Sequence, residues 1–318
     1  MVDQLKLAEI FTPTARKRRQ QLDDEGMRIA HYTTAENAYK ILDSQSLWMR
    51  NALHMDDFRE IQHGHDLLLE YFSDPSKHKW LMEILNRCCG EAGKTAIDLF
   101  DRHYQDLKRF TYITCFSQHE KEHDADGRLS MWRAFGKGSA GVAIVLNPPR
   151  RDIAAPLQVV LVPVMYFTKP DLWNELDSIF NNIDANETLL KNGPQDQISH
   201  WVFIMLVALV TSLKHQGFEE EKEWRLLHVP KTFRPSRFVP EFNQVIGGVP
   251  QLIRKIDLKN NPENGIEGIS IRELVERVII GPTQFGGAIF DSISKLLANA
   301  GVQNAEQKVF FSNIPIRT

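Results

Sequence analysis

Cysteine is scarce in this chain, with three among 318 residues; Cys88 and Cys89 are adjacent and Cys115 stands alone. Three thiols cannot build a disulfide framework, and the pattern suits buried thiols in a reducing compartment, so the expected location is the cytoplasm. Charge of one sign is lacking as well. The 38 Lys and Arg nearly balance the 41 Asp and Glu, for a formal net charge of -3. That balance excludes a general phosphate-binding basic coat but leaves room for a local patch. The longest apolar run, Trp201–Val210 with Leu213 just beyond, falls short of the ~20 residues a membrane span needs. Met1–Ile10 carries charges where a signal peptide would be apolar, and no membrane partner is expected. Several motifs are absent too: GxxxxGK[ST], GxGxxG after a strand, GxSxG and CxxC. Their absence removes the commonest signatures of nucleotide, nucleophilic-serine and thiol-redox chemistry.

What is present reads as an ordinary globular chain, 42% apolar and 25% charged, long enough for a sizeable core. Residues 1–26 read as a helical extension containing the basic run Arg16-Lys17-Arg18-Arg19. Such a run is most simply a solvated helix face, with contact to a nucleic-acid backbone as the functional alternative. Short strands are expected at Met27–Tyr32, Leu47–Arg50, Arg109–Ser117, Val142–Leu146, Glu221–Val229, Val275–Ile280 and Lys308–Ser312. The β-branched run Leu157–Phe167 reads the same way. Helices are expected after the cap at Thr33-Thr34, over Phe58–Tyr71, Trp80–Lys108, Leu129–Phe135, Pro170–Asn181, Gln195–Lys214 and Phe285–Ala298. Gln195–Lys214 is apolar all round and so should be buried. Gly136–Gly141 reads as a turn and Gln118–Arg128 as a polar, solvated loop. Strands and helices do not alternate regularly, which favours α+β over a doubly wound parallel sheet. Residues 27–318 read as a single domain with helical insertions near 58–108 and 170–215.

Among candidate sites, Gly281–Gly287 lies between a strand and a helix but lacks a Lys or a regular glycine spacing, so a plain connecting turn is the better reading. His54, His63 and His65 lie near Asp56, Asp57 and Glu60. On a helix, however, His63 and His65 point about 200° apart and cannot share a metal. His119 and His123 are suitably spaced in a segment that looks solvated, and no metal site is assigned. The sharper signal is Glu219-Glu220-Glu221-Lys222-Glu223-Trp224-Arg225-Leu226. On a strand, Glu221, Glu223 and Arg225 would share one face and Trp224 and Leu226 the other. Paired carboxylates beside an Arg form a plausible reaction centre. The competing reading is a charged helix face. A histidine ending a strand at His31, before a capped helix, is a second signal, and Thr114-Cys115-Phe116-Ser117 a third.

Taken in order, these pieces resemble a bacterial family of unknown function within the ADP-ribosyltransferase superfamily. The resemblance is carried by His31-Tyr32-Thr33, the run Ile41–Asn51, Met55-Asp56-Asp57-Phe58, Cys115-Phe116-Ser117, Leu129-Ser130-Met131-Trp132-Arg133, Gly141–Leu146, Glu221-Lys222-Glu223-Trp224-Arg225-Leu226 and Val278-Ile279-Ile280-Gly281-Pro282. It spans roughly residues 28–315. It implies an ADP-ribosyltransferase-like fold of split antiparallel β-sheets with helical insertions, binding NAD as co-substrate between the sheets. It further implies Glu223 as the catalytic carboxylate, Glu221 as the group that orients or deprotonates the acceptor, and His31 on the ribose hydroxyls. Tyr32 or Ser117 would contact the nicotinamide ribose, and Arg50 or Arg133 would face the pyrophosphate. Trp132 or Phe116 would stack on a ring, while Thr33 and Asn51 complete the cofactor-binding set. The middle motif is Cys-Phe-Ser where arginine-modifying toxins have Ser-Thr-Ser.

The chemistry suits these residue types. Cleavage of the N-glycosidic bond of NAD passes through an oxocarbenium-like transition state, and a carboxylate stabilises the developing charge. The implied function is an NAD-dependent ADP-ribosyltransferase, a toxin or antiviral-defence effector modifying nucleic acid or protein and restrained by an antitoxin or regulatory protein. An NAD glycohydrolase and a non-catalytic sensor module that keeps the fold are the alternatives.

Overall fold

The computed structural model describes residues 2–55, 60–135, 140–149, 154–246 and 248–315. Asp56-Asp57-Phe58 and residues 136–139 of the expected turn lie outside them. The class is α+β, and the chain divides into two compact units. One comprises residues 1–21, 52–111 and 162–219, the other residues 22–51, 112–161 and 220–318. The residues read as a helical extension and as two insertions thus fall almost entirely within the first unit.

That unit is built of helices. Asp74 accepts the Ser76 amide at 2.8 Å, with Pro75 in the first turn, which starts the helix Pro75–Cys88. Gly90, at φ 55, then separates it from Glu91–Phe110. The helical spacing over Trp80–Lys108, weakened in the sequence at Gly90 and Gly93, is divided into two helices at Gly90, because only glycine enters that left-handed turn without strain. Thr168 and Asp171 form a capping box at the start of Lys169–Ala185. Gln195–Thr211 buries Ile198, Val202, Phe203, Leu206 and Val210, as its all-round apolarity requires. The basic run is less solvated than a free helix face would be. Of its four cations only Lys17 is exposed, and Arg18 donates to the Val164 carbonyl at 2.5 Å. Burial lowers the Arg18 pKa, with Tyr166 and Glu219 opposing the shift.

The second unit holds the sheet, except for the last two residues of β5. Its strands are β1 (Arg28–Thr34), β2 (Ser46–Asn51), β3 (Tyr112–His119), β4 (Gly141–Leu146), β5 (Val160–Pro163), β6 (Glu223–His228), β7 (Glu241–Ile246), β8 (Val249–Asp257), β9 (Val275–Ile280) and β10 (Val309–Phe311). The order is β10-β9-β4-β1-β3-β2-β8-β7, with β6 paired to β3 and β5. The ladders from β4 to β7 are antiparallel, but β10 lies parallel to β9. The expectation of separate antiparallel sheets is corrected to one connected, mixed sheet. The helix Gly286–Asn299 supplies the crossover that a parallel neighbour needs. One face packs on a large core that includes Ile41, Phe116, Ile144, Trp224, Val278 and Leu297. The other carries a smaller cluster of Ala30, Tyr32, Met131, Trp132, Ala143, Val145 and Ile279.

Two strand expectations change. The run Leu157–Phe167 yields only the four-residue β5, which ends at Pro163, where proline cannot continue the donor pattern. The β7–β8 hairpin was not anticipated.

Candidate functional site

The arrangement around β3 defines the site. One edge of β3 pairs with β6 from Tyr112↔His228 to Ser117↔Glu223. Its other edge is shared. The β1 ladder covers His119 to Ser117 and the β2 ladder covers Ile113 and Tyr112. Thr114, Cys115 and Phe116 lie between the two ladders. Side chains span that split: the Thr114 hydroxyl donates to the Trp48 carbonyl at 2.7 Å, and His31 Nδ1 donates to the Cys115 carbonyl at 2.9 Å. With Nδ1–H engaged, Nε2 is the acceptor nitrogen of the neutral ring. Burial lowers the His31 pKa, the Cys115 carbonyl acting in the opposite direction.

Cross-strand partners share a face, and successive residues alternate. The registers therefore set Ala30, Ser117 and Glu223 on one face, together with Cys115 and Arg225. Arg50 stands opposite Ile113 and joins them. His31, Phe116 and Trp224 belong to the opposite face, where the His31 and Phe116 rings meet edge to face at 5.8 Å. The structure thus sets Glu223 directly across from Ser117, with Arg50 on the same face opposite Ile113, four residues back along β3, and places His31 and Asn51 on the other side of the sheet.

Glu223 and Arg225 are 4% and 2% exposed. They form a forked salt bridge, Nε to Oε1 at 2.9 Å and Nη2 to Oε2 at 3.2 Å. Residues two apart on a strand lie side by side, so the spacing makes the fork possible. Glu221 does not share that strand. It ends a 3₁₀ turn, Lys222 follows at φ 42, and β6 begins at Glu223. The expected alternation of Glu221, Glu223 and Arg225 is corrected: the left-handed residue turns the chain before the strand starts.

The turn is tethered from several sides. The Ser117 hydroxyl donates to the Glu221 carbonyl at 2.6 Å, and the Gln118 amide donates to the Lys222 carbonyl at 2.9 Å. Arg128 donates to the carbonyls of Glu220 and Gln118 at 2.7 and 2.9 Å. Lys222 pairs with Glu120 at 2.6 Å. Arg128 itself is buried, and its backbone amide donates to the Tyr32 hydroxyl at 3.0 Å. Burial raises the Tyr32 pKa against the pull of Arg128. Sequence reasoning missed Arg128, because a single Arg at the end of a polar loop carries no periodic or motif signal.

The remaining expected residues are dispersed. Thr33 is buried on β1, and Arg50 donates from Nε to Gln251 at 3.4 Å. Arg133 is exposed on the helix Leu129–Phe135. Trp132 is 3% exposed. Its ring NH donates to the Asp126 carbonyl at 2.7 Å and its ring meets Tyr32 edge to face at 4.9 Å, so it fills the core instead of presenting an open face. His119, expected in a solvated segment, is buried at the end of β3 and bonded to Asp124 at 3.0 Å. Burial and the nearby Arg28 push its pKa down to about 4, opposed by Asp124. Among the described residues, two groups could gather around a metal: Cys88 with Asp184 and Glu187, and Glu120 with Glu122 and His123. Arg87 already pairs with both carboxylates of the first, and Lys222 with Glu120 of the second.

A family model described as "Protein of unknown function (DUF2971)" matches residues 131–226, from the helix that carries Trp132 to Leu226 of β6. No curated protein and no solved structure matches the chain significantly. Among the described residues, no helix is long and apolar enough to cross a membrane.

Proposed function

We propose that this protein is an NAD-dependent ADP-ribosyltransferase and that its connected sheet is an ADP-ribosyltransferase-like fold. The observation that carries the reading is Glu223, held by Arg225 and standing across from Ser117 on a strand whose far edge divides between β1 and β2. A carboxylate locked in one orientation suits the reaction. Nicotinamide leaves neutral and needs no general acid, while the ribose develops positive charge that a fixed carboxylate stabilises. Ser117 and Arg50 share its face, the guanidinium suited to the pyrophosphate. Glu221, outside the strand and partly exposed, is placed to orient or deprotonate an acceptor that arrives from solvent. His31 serves in this reading by bridging the split through the Cys115 carbonyl. The acceptor is a nucleic acid or a protein, and the biological role is that of a toxin or defence effector restrained by a partner protein.

Labelled NAD, incubated with the protein and a cell lysate and then fractionated, tests this. Label on protein, RNA or DNA supports transfer, whereas free ADP-ribose alone replaces transfer with NAD hydrolysis. If wild-type protein that binds NAD never consumes it, both enzyme readings fall and the sensor module stands. A Glu223→Gln protein with native circular dichroism should lose about 10²-fold or more in rate.

A further inference from the structure

We propose that Arg128 is a positioning residue whose forked grip on the Glu220 and Gln118 carbonyls holds the left-handed turn at Lys222 and so sets Glu221 against Glu223. The inference rests on the proposed function and deepens it. A non-glycine residue with positive φ persists only where its surroundings over-determine it. Lys222, at φ 42, has neither the missing Cβ of glycine nor the local side-chain bond that Asn or Asp brings to such positions. The conformation must therefore be imposed from outside, and the tethers at Glu220, Glu221 and Lys222 do this. Arg128 is the tether that spans the turn. One Nη reaches the segment before Lys222 and the other reaches Gln118 of β3, the strand that presents Ser117 to Glu223. A planar fork binds two carbonyls in fixed relation; an ammonium group cannot. The two hydrogen bonds of the Arg128 side chain end on backbone carbonyls and its ion pair is with Glu120, itself paired with Lys222, so Arg128 acts on the reaction through the turn.

The test is Arg128→Lys, which keeps the buried charge and removes the fork, read by steady-state kinetics with NAD and by amide hydrogen exchange at Gln118. Faster exchange is expected, with kcat down about tenfold and KM for NAD within about twofold of wild type. Lys222→Gly placed on top should restore part of kcat, since glycine enters the left-handed region unaided. A purely structural role would give no such rescue. Glu120→Gln, which weakens a partly exposed carboxylate paired with both Lys222 and Arg128, should shift exchange and kcat in the same direction by a smaller factor. This second variant decides the matter if Arg128→Lys does not fold. Unchanged exchange at Gln118, or faster exchange with wild-type kcat, overturns the proposal. A wild-type protein that never consumes NAD overturns the functional reading instead, and exchange at Gln118 still reports whether Arg128 holds the turn.

Discussion

Glu223 and Arg225 face each other with almost no solvent between them and the interior, at 4% and 2% exposure. Desolvating two charges is expensive, and their mutual attraction compensates only while both are present. Replacing either one alone, as Glu223→Leu or Arg225→Leu, should therefore destabilise the protein by about 3–5 kcal/mol, because an uncompensated charge stays buried. The double replacement should cost well under the sum of the two, and the coupling is read from a double-mutant cycle in urea. Additive losses would show that the salt bridge contributes nothing specific. The spacing of this pair was legible, since residues two apart on any strand share a face. The position of Glu221 was not. Lys222 adopts φ 42 with a side chain that gives no hint of it, and the tethers responsible come from Ser117, Gln118 and Arg128, distant in sequence.

The helix Leu129–Phe135 has the bounds read from the sequence, and its packing explains two glycines. A Cβ on Gly127 would come within 2.6 Å of the Trp132 ring, and one on Gly281 within 2.8 Å. The indole is wedged between the loop before its own helix and the residue after β9, so both positions need a side chain of no size. Gly281→Ala tests sterics alone, and overpacking of this kind typically costs about 1–3 kcal/mol. Gly127→Ala adds backbone strain at φ 67 and should be the worse of the two in thermal unfolding. Equal stability of both variants with wild type would remove Trp132 as the wedge. Here also lies the limit of reading elements from pattern. Val275–Ile280 stands out because its β-branched run Val278-Ile279-Ile280 is stopped at once by Gly281-Pro282. The β7–β8 hairpin does not, because Phe242, Val245, Val249 and Leu252 are exposed apolar residues that blur the alternation a half-buried strand would show. Its register is fixed instead by pairing with β2, far earlier in the chain.

Each compact unit is assembled from three separate stretches of chain, and no composition shift marks the crossings, because the amphipathic helices and the strands draw on the same residues. The sheet pays the larger cost of this arrangement. β1 and β2 precede the first helical stretch, yet β1 lies between β4 and β3, and β2 between β3 and β8. A protein beginning at Tyr112 would retain eight of the ten strands found among the described residues but lose two interior ones. The inner edges of β4, β3 and β8 would then present unpaired backbone donors and acceptors. We expect residues 112–318 expressed alone to be insoluble or non-cooperative in thermal unfolding, and co-expression with residues 1–111 to restore a soluble pair. A soluble 112–318 fragment with a sharp transition would mean that the strands rearrange into a smaller sheet without β1 and β2. The same topology makes folding slow, since β1 closes on β4 across more than a hundred residues and that loop must close before any pairing rewards it. The candidate site inherits this dependence: Ser117 and Glu223 meet across β3 and β6, and the split beside them exists only because β1 and β2 return to the same edge of β3.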